Sequence, residues 1–215
     1  MIKYLDIKDI RPEDIPAAFA GSGIGYTPIS RVNWPGQYPY KPEASFGIAY
    51  TDSSILIHYK VREEDVRAFV GEDKGQVWTD SCVEFFFRPD MKGPYYNIEC
   101  NCIGKILVAC GPAREGRETA PDEVFDGIRR WASLGNVMFD EKMEETSWEI
   151  ALVIPFTTFF RHEITNLEGV VATANFFKCG GSGRYEHYLS WAPIFVPTPD
   201  YHRPDFFREI HFERR

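Results

Sequence analysis

The sequence predicts an all-β fold, either a sandwich or a barrel, with a few short helical insertions. Short runs of residues alternate between apolar and polar side chains, and segments rich in glycine or proline separate these runs. No stretch shows sustained helical periodicity. Aromatic residues make up 15% of the chain, which favours strands over long helices. Many short strands joined by such turns are typical of β-sandwiches and barrels.

The strand signal recurs along most of the chain. The predicted strands cover residues 55–61, 83–87, 95–102, 105–110, 148–154, 170–177 and 207–212. Ile103-Gly104 separates two of these runs and predicts a hairpin, and Pro155 stops the ladder of the run before it. Two short helical segments are predicted, at 62–70, where three acidic residues favour a helix N-terminus, and at 155–160, which begins with proline.

Length and cysteine content favour one domain without disulfide bonds. The 215 residues fit one large sandwich, nothing from Met1 to Arg215 resembles a linker, and a chain of this size buries a substantial core. We therefore expect residues 1–215 to form a single domain. The five cysteines leave at least one unpaired. Cys100 and Cys102 lack the spacing of a zinc site, so buried small side chains are the favoured interpretation.

Charge and hydropathy exclude two classes of partner. The net charge of −8 opposes binding to nucleic acid and to anionic membrane surfaces, because both need clustered positive charge. No segment has 18 consecutive apolar residues, so no membrane span is predicted. The first residues lack the apolar region of a signal peptide, which indicates a cytoplasmic protein or one whose leader was removed.

Three stretches of the sequence, taken in order, carry a family resemblance. They read WTDSCVEFF at 78–86, SWEIALVIPF at 147–156, and NFFKCGG, LSWAPI and PDYHRPDFF within 175–207. Together they resemble the family 9 carbohydrate-binding modules, in particular the stand-alone bacterial group, across roughly residues 45–212. The wider superfamily includes the DOMON domains, which bind sugar or haem.

The resemblance implies both a fold and a function. It implies an antiparallel sandwich of the immunoglobulin-like type that binds cellulose- or xylan-type polysaccharides, or their oligosaccharides, and catalyses nothing. A glycoside hydrolase is an implied partner. Relatives hold calcium as a structural ion, although its ligands do not map onto this sequence, and no other cofactor is implied.

Two tryptophans are the preferred stacking residues of a sugar site. Trp78 directly precedes a predicted strand and Trp191 follows one, so both lie where loops gather at a sheet edge. The resemblance also implies stacking aromatics near these positions. A structural role for Trp191 stays open. Trp148 lies on an apolar strand face and is expected in the core, whereas the loop residue Trp34 fits either role.

Four polar residues are proposed for the rim of the site, and each has a structural alternative. Glu84 is expected on the strand face opposite Val83 and Phe85, where it would bind sugar, face solvent or pair with an arginine across the sheet. Lys105 follows a hairpin glycine and is otherwise an ordinary turn lysine. Asn175 and Lys178 are expected to share a sheet face or edge, although a buried asparagine that bonds the backbone is the main competitor.

One further polar stripe lies on a neighbouring strand. Asn97, Glu99 and Asn101 alternate on one strand face, which is either a wet surface or the floor of a glycan groove.

Three other functions remain open at this point. A glycosidase would need two carboxylates about 5–9 Å apart, and no catalytic motif selects a pair. A haem module would need axial Met or His ligands, but the four methionines and five histidines are scattered. A protein-interaction sandwich that has lost sugar binding is the last alternative.

Overall fold

A computed structural model describes residues 1–214 and confirms the all-β sandwich. Two sheets carry most of the chain, and a two-stranded ribbon flanks them. Nearly every strand pair is antiparallel, the exception being the parallel pairing of Lys3–Tyr4 with Glu43–Tyr50. Sixteen strands are numbered in chain order within the described residues.

The first sheet has six strands. Its order is β1-β4-β5-β13-β11, with β2 beside β4. The strands are β1 (Lys3–Tyr4), β2 (Thr27–Pro28), β4 (Glu43–Tyr50), β5 (Ser54–Glu63), β11 (Arg129–Ala132) and β13 (Thr146–Pro155).

The second sheet has eight strands and carries the site described below. Its order is β10-β9-β8-β7-β14-β15-β3, with β16 beside β14. The strands are β3 (Arg31–Val32), β7 (Ser81–Arg88), β8 (Tyr95–Asn101), β9 (Ile106–Gly111), β10 (Glu118–Thr119), β14 (Val171–Gly180), β15 (His187–Ser190) and β16 (Arg208–His211). The remaining ribbon pairs β6 (Val66–Ala68) with β12 (Phe139–Lys142).

Helical structure is confined to short pieces. The α-helices are α1 (Ile15–Gly21) and α2 (Asp122–Gly127), and single 3-10 turns cover Pro12–Asp14, Val77–Thr79, Phe156–Thr158 and Pro204–Phe206. None of these helices, all within residues 1–214, has the length and apolar character needed to cross a bilayer.

The inner faces of the two sheets form the main core. Phe46 of β4 stacks on Phe176 of β14 with ring centroids 3.5 Å apart, which fixes the contact between the sheets. Trp148 is buried in this core, as its strand pattern predicts. Two smaller clusters lie outside the main core, one under α1 and one on the outer face of the eight-stranded sheet.

The sequence predicted most long strands and one turn correctly. The hairpin between β8 and β9 is confirmed, and Gly104 takes the positive φ of 78° that its turn needs. The helix predicted at 62–70 is wrong: β5 extends to Glu63, and Val66–Ala68 pairs with β12. Side-chain burial on this ribbon outweighs the local acidic signal, because Val66 and Ala68 are both fully buried.

Candidate functional site

A cavity of about 390 Å³ opens on the outer face of the eight-stranded sheet. Strand alternation creates its floor, because Val83 and Phe85 of β7 point into the main core while Glu84 points outward. The walls come from the loop before β10 and from residues 199–202, which lie across the sheet. Its size falls within the range of about 300–1,000 Å³ that is usual for small-ligand sites.

Three polar side chains converge on the floor of this cavity. Glu84 of β7 lies directly opposite Glu99 of β8, and both are less than 5% exposed. Asn97 Nδ2 donates a 2.7 Å hydrogen bond to Glu99 Oε1, and the Cys179 thiol donates to Glu84 Oε1 at 3.2 Å. Glu99 Oε2 has no hydrogen-bond partner among residues 1–214. The floor therefore contains one buried carboxyl oxygen that the described residues leave unpaired.

Burial governs the protonation of the two acids. Loss of hydration raises the pKa of Glu99 to about 7, although the hydrogen bond from Asn97 and the charge of Arg117 oppose the rise. Burial raises the pKa of Glu84 well above its usual range, and the neighbouring Cys179 and Glu99 add to the rise. Near neutral pH the floor is consequently much less negative than two exposed carboxylates would make it.

Arg117 holds one wall of the cavity in place through hydrogen bonds to Asn97 and Tyr95. Its Nε donates to Asn97 Oδ1 at 2.9 Å, another guanidinium nitrogen donates to the Tyr95 carbonyl at 3.0 Å, and the guanidinium lies over the Tyr95 ring, 4.3 Å from the ring centroid. These contacts fix the Asn97 amide so that its NH2 group points at Glu99. Arg114 is instead mostly exposed and donates to Asp200 at 3.2 Å.

Aromatic side chains form the opposite wall. Trp78 lies in the 3-10 turn before β7 and is 38% exposed at the margin of the cavity. Tyr201 stacks on Phe177 with centroids 4.0 Å apart, and its hydroxyl donates to the Lys178 and Leu189 carbonyls. The Tyr201 ring is thus held in place, whereas the Trp78 side chain is partly exposed where it lines the cavity.

His202 completes this wall in its neutral form. Burial, together with the nearby charges of Arg117 and Arg114, lowers the pKa of His202 to about 3. Its Nδ1 lies 2.8 Å from the Tyr95 hydroxyl.

Of the six residues proposed from the sequence, the structure places two in this cavity, Trp78 and Glu84. Trp191 lies elsewhere: its ring contacts Phe46 and Phe176 edge-on, at centroid distances of 5.8 and 5.9 Å, and so packs against the core between the sheets. Trp78 and Trp191 therefore do not form a shared sugar platform. Trp191 instead has the structural role that the sequence analysis left open for it.

The expectation that Asn175 and Lys178 share a sheet face or edge is wrong, because β14 lies inside the sheet and the two side chains point to opposite faces. Residues three apart in a strand point to opposite faces, and Lys178 points inward, fully buried, with its Nζ 2.7 Å from Glu63. Asn175 is also fully buried on the other face, where its amide accepts from Ala192 N at 2.9 Å. Neither side chain reaches the cavity, so neither lies on its rim.

Lys105 also lies away from the cavity. It sits in the β8–β9 hairpin, beside a shallow depression that Asp73 and Arg130 also line. Its backbone N donates to Asn101 Oδ1 at 2.8 Å, which belongs to the turn itself.

The sequence analysis left the role of the polar stripe on β8 undecided, and it missed the loop residues that line the cavity. The alternating stripe on β8 is split: Asn97 and Glu99 line the cavity, whereas Asn101 donates to Asp80 at 3.0 Å and braces a loop. The period-two pattern was thus the signal for the floor. Arg114, Arg117 and residues 199–202 reach the cavity from irregular segments, where no periodicity reveals the direction of a side chain.

Comparisons with known proteins agree with this architecture. The model of carbohydrate-binding family 9 matches residues 13–212. The chain belongs to that family. A structure of a candidate carbohydrate-binding protein from Bacteroides uniformis shares 44% sequence identity, with a TM-score of 0.96 over 99% of this chain and 97% of the other. No curated protein matches the chain.

More distant family 9 structures share the fold alone. A family 9 module from Caldicellulosiruptor kristjanssonii, in complex with glucose, has a TM-score of 0.61 at 9% identity and covers 100% of this chain and 97% of its own. A second structure from that organism, in complex with cellotriose, has a TM-score of 0.58 at 9% identity, with 100% and 95% covered.

Residues 1–214 contain no group of three or more clustered carboxylates for the calcium that the resemblance implies. Calcium needs six to eight oxygen ligands, usually with several carboxylates. Within residues 1–214 the only group of three or more potential metal-ligating side chains is Cys82, Glu84 and Cys179, and two of these are thiols. This donor set suits a softer ion than calcium.

Proposed function

We propose that this family 9 protein binds oligosaccharides of the cellulose type, or chain ends of the polysaccharide, in the cavity on the eight-stranded sheet, without chemical conversion. The observation that carries the proposal is the pairing of a partly exposed tryptophan with buried carboxyl groups in a single concave site. Trp78 supplies the aromatic ring, and Glu84 and Glu99 supply the polar floor.

The chemistry of a pyranose ring matches these two elements. Its C–H face is apolar and packs on an indole ring, and its hydroxyl groups both donate and accept hydrogen bonds. Glu99 Oε2 lacks a partner in the described part of the chain, so a sugar hydroxyl that donates to it removes an unpaired buried acceptor. The Asn97 amide and Arg114 add donors on the same side of the cavity.

The charge of the cavity favours a neutral sugar. Glu84 and Glu99 both have raised pKa values because they are buried, and Arg114 and Arg117 lie beside them. Neither a strongly anionic nor a cationic sugar finds a complementary field there. The glucose and cellotriose held by the two Caldicellulosiruptor modules support a neutral gluco-configured ligand. Xylo-oligosaccharides are the second ligand class that we propose, because they present the same ring without its hydroxymethyl group.

The proposal is tested by calorimetric titration of the full chain with glucose, cellotriose, xylotriose and galacturonic acid. We expect binding of the neutral gluco- and xylo-sugars in the micromolar to millimolar range, because a few hydrogen bonds and one stacking contact yield only about 4–8 kcal/mol. Binding restricted to the acidic sugar, or no binding to any of the four, would contradict the proposal.

A binding role also predicts that the sugars stay intact. The two facing acids make hydrolysis the relevant alternative, since glycosidases use a carboxyl pair. Incubation with cellotriose and xylotriose should release no new reducing ends. Release at enzyme-like rates that disappears in Glu84→Gln would overturn the non-catalytic role. We further propose that a glycoside hydrolase acts on the same polysaccharide, as partner or neighbouring domain.

A further inference from the structure

Two cysteines and a glutamate meet beneath the cavity in an arrangement that sugar binding does not require. Cys82 of β7 lies directly opposite Cys179 of β14, and Glu84 follows two residues later on the same face. The two sulfur atoms and a Glu84 carboxylate oxygen all lie within 4.8 Å of one another. All three side chains are buried, and none of the five cysteines of the chain forms a disulfide.

We propose that Cys82, Cys179 and Glu84 form a binding site for a thiophilic metal ion of the Zn²⁺ class. Such ions bind Cys sulfur at about 2.3 Å and carboxylate oxygen at about 2.0–2.2 Å, so the ligand atoms of one tetrahedral ion lie roughly 3.3–3.8 Å apart. The Cys179 sulfur is already 3.2 Å from Glu84 Oε1. The other two ligand distances, which are no longer than 4.8 Å, would have to contract to this range around a bound ion.

The surroundings of Glu84 supply a second and independent argument. This carboxyl group is 3% exposed, and its one hydrogen bond among residues 1–214 comes from the Cys179 thiol, with no arginine, lysine or backbone N–H donating to it. Ionisation of a buried carboxyl group is costly, and the charge of the mostly exposed Arg114 opposes that cost only in part. A divalent cation at this position compensates it directly.

The cavity supplies an entry path and the remaining coordination position. Glu84 and Cys179 line the cavity, whereas Cys82 lies deeper. An ion can therefore enter from the solvent side, and a water molecule or a sugar hydroxyl can complete the tetrahedron there. A site with three protein ligands and one open position is the usual form of zinc sites that contact small molecules. The proposal holds whether or not the cavity binds sugar.

Cobalt(II) titration of the full chain tests this assignment. Co²⁺ occupies zinc sites and reports thiolate ligation through sulfur-to-cobalt charge-transfer absorption, so the reduced, chelator-treated protein is titrated with Co²⁺ and then with Zn²⁺. We expect a charge-transfer band that saturates at one equivalent of Co²⁺ and is abolished by Zn²⁺. The readout needs no sugar, so its failure is distinct from failure of the sugar proposal.

Matched cysteine variants identify the ligands. Cys82→Ser and Cys179→Ser should each abolish the band and weaken Zn²⁺ binding by more than about 100-fold, since even outer-sphere partners contribute about 10–100-fold. Cys110→Ser is the control, because Cys110 is buried on the inner face of β9. Circular dichroism verifies that each variant is folded, and Cys→Ala variants replace any that are not.

Three outcomes would overturn the metal site. They are absence of the band, a band that survives in both serine variants, and loss of two thiols to a Cys82–Cys179 disulfide in protein that binds no ion. The last outcome is chemically distinct, because cross-strand neighbours lie within the Cα separation that disulfides need.

Discussion

Glu84 and Glu99 face each other across neighbouring strands β7 and β8, and both carboxyl groups are buried in the floor of one cavity. Like-charged residues at directly opposed positions destabilise a sheet when both are ionised. Their burial and mutual repulsion raise the pKa of Glu84. The pair therefore provides a polar floor but lowers the free energy of unfolding when the acids ionise. The free energy of unfolding should consequently depend on pH.

Glu99→Gln should flatten the pH dependence of stability. The folded pKa of Glu99 is about 7, above its ordinary 4.5, so the folded state keeps a proton that the unfolded chain releases as pH rises between these values. The free energy of unfolding accordingly falls from pH 4.5 to 7, by up to about 3 kcal/mol from this residue. Urea unfolding at pH 5 and pH 8 measures the difference. Glu115→Gln, in an exposed loop, is the control, and equal pH dependence in Glu99→Gln and wild type would contradict the prediction.

Trp78→Ala should mainly weaken sugar binding, whereas Trp191→Ala should mainly destabilise the fold. Trp78 is partly exposed at the cavity, so its removal should weaken sugar affinity about tenfold and change the melting temperature little. Trp191 packs on Phe46 and Phe176, so its removal should lower the free energy of unfolding by about 2–3 kcal/mol and leave sugar affinity nearly unchanged in the folded fraction. Calorimetric titration and thermal unfolding measure the two quantities. A large loss of affinity from Trp191→Ala alone would contradict the assignment.

The contrast between these two tryptophans shows what sequence pattern can decide. Period-two alternation correctly placed Glu84 outward and Val83 inward, because each strand residue has only two directions available. Trp191 follows the last residue of β15, outside the strand, and nothing local specifies that its ring turns back onto Phe46. The fold was therefore predictable from strands, whereas the loop-borne half of the cavity was not.

The same limit applies to the arginines and to the domain organisation. Arg114 and Arg117 come from an irregular segment whose approach to the sheet depends on long-range contacts, including the one between Arg114 and Asp200. The helices α1 and α2 were not predicted, because six or seven residues span less than two turns and are too short to show a helical hydrophobic pattern. That residues 1–215 fold as one domain, and that the protein binds no nucleic acid or membrane, remain predictions.

Lys178→Met should destabilise the fold without affecting sugar affinity. Lys178 and Glu63 form a fully buried ion pair between the sheets, and Trp148 Nε1 donates to the same Glu63 carboxylate at 2.7 Å. Removal of one partner leaves an uncompensated buried charge, which costs about 3–5 kcal/mol. The double variant Lys178→Met/Glu63→Gln should recover part of this loss in urea unfolding. A decrease in sugar affinity as large as that of Trp78→Ala would restore Lys178 to the sugar site.

Arg117→Lys should weaken both sugar binding and stability, although the positive charge is kept. The Arg117 guanidinium bridges the Asn97 side chain and the Tyr95, Ala109 and Ala113 carbonyls, and a lysine ammonium cannot reproduce this fork. With several acceptors left unpaired, we expect the free energy of unfolding to fall by about 2–4 kcal/mol and sugar affinity to fall with it, since Asn97 would no longer be held toward Glu99. Arg114→Lys is the matched control: its exposed ion pair with Asp200 should contribute less than about 1 kcal/mol to stability. Equal stability losses in the two variants would show that Arg117 does not organise the cavity wall.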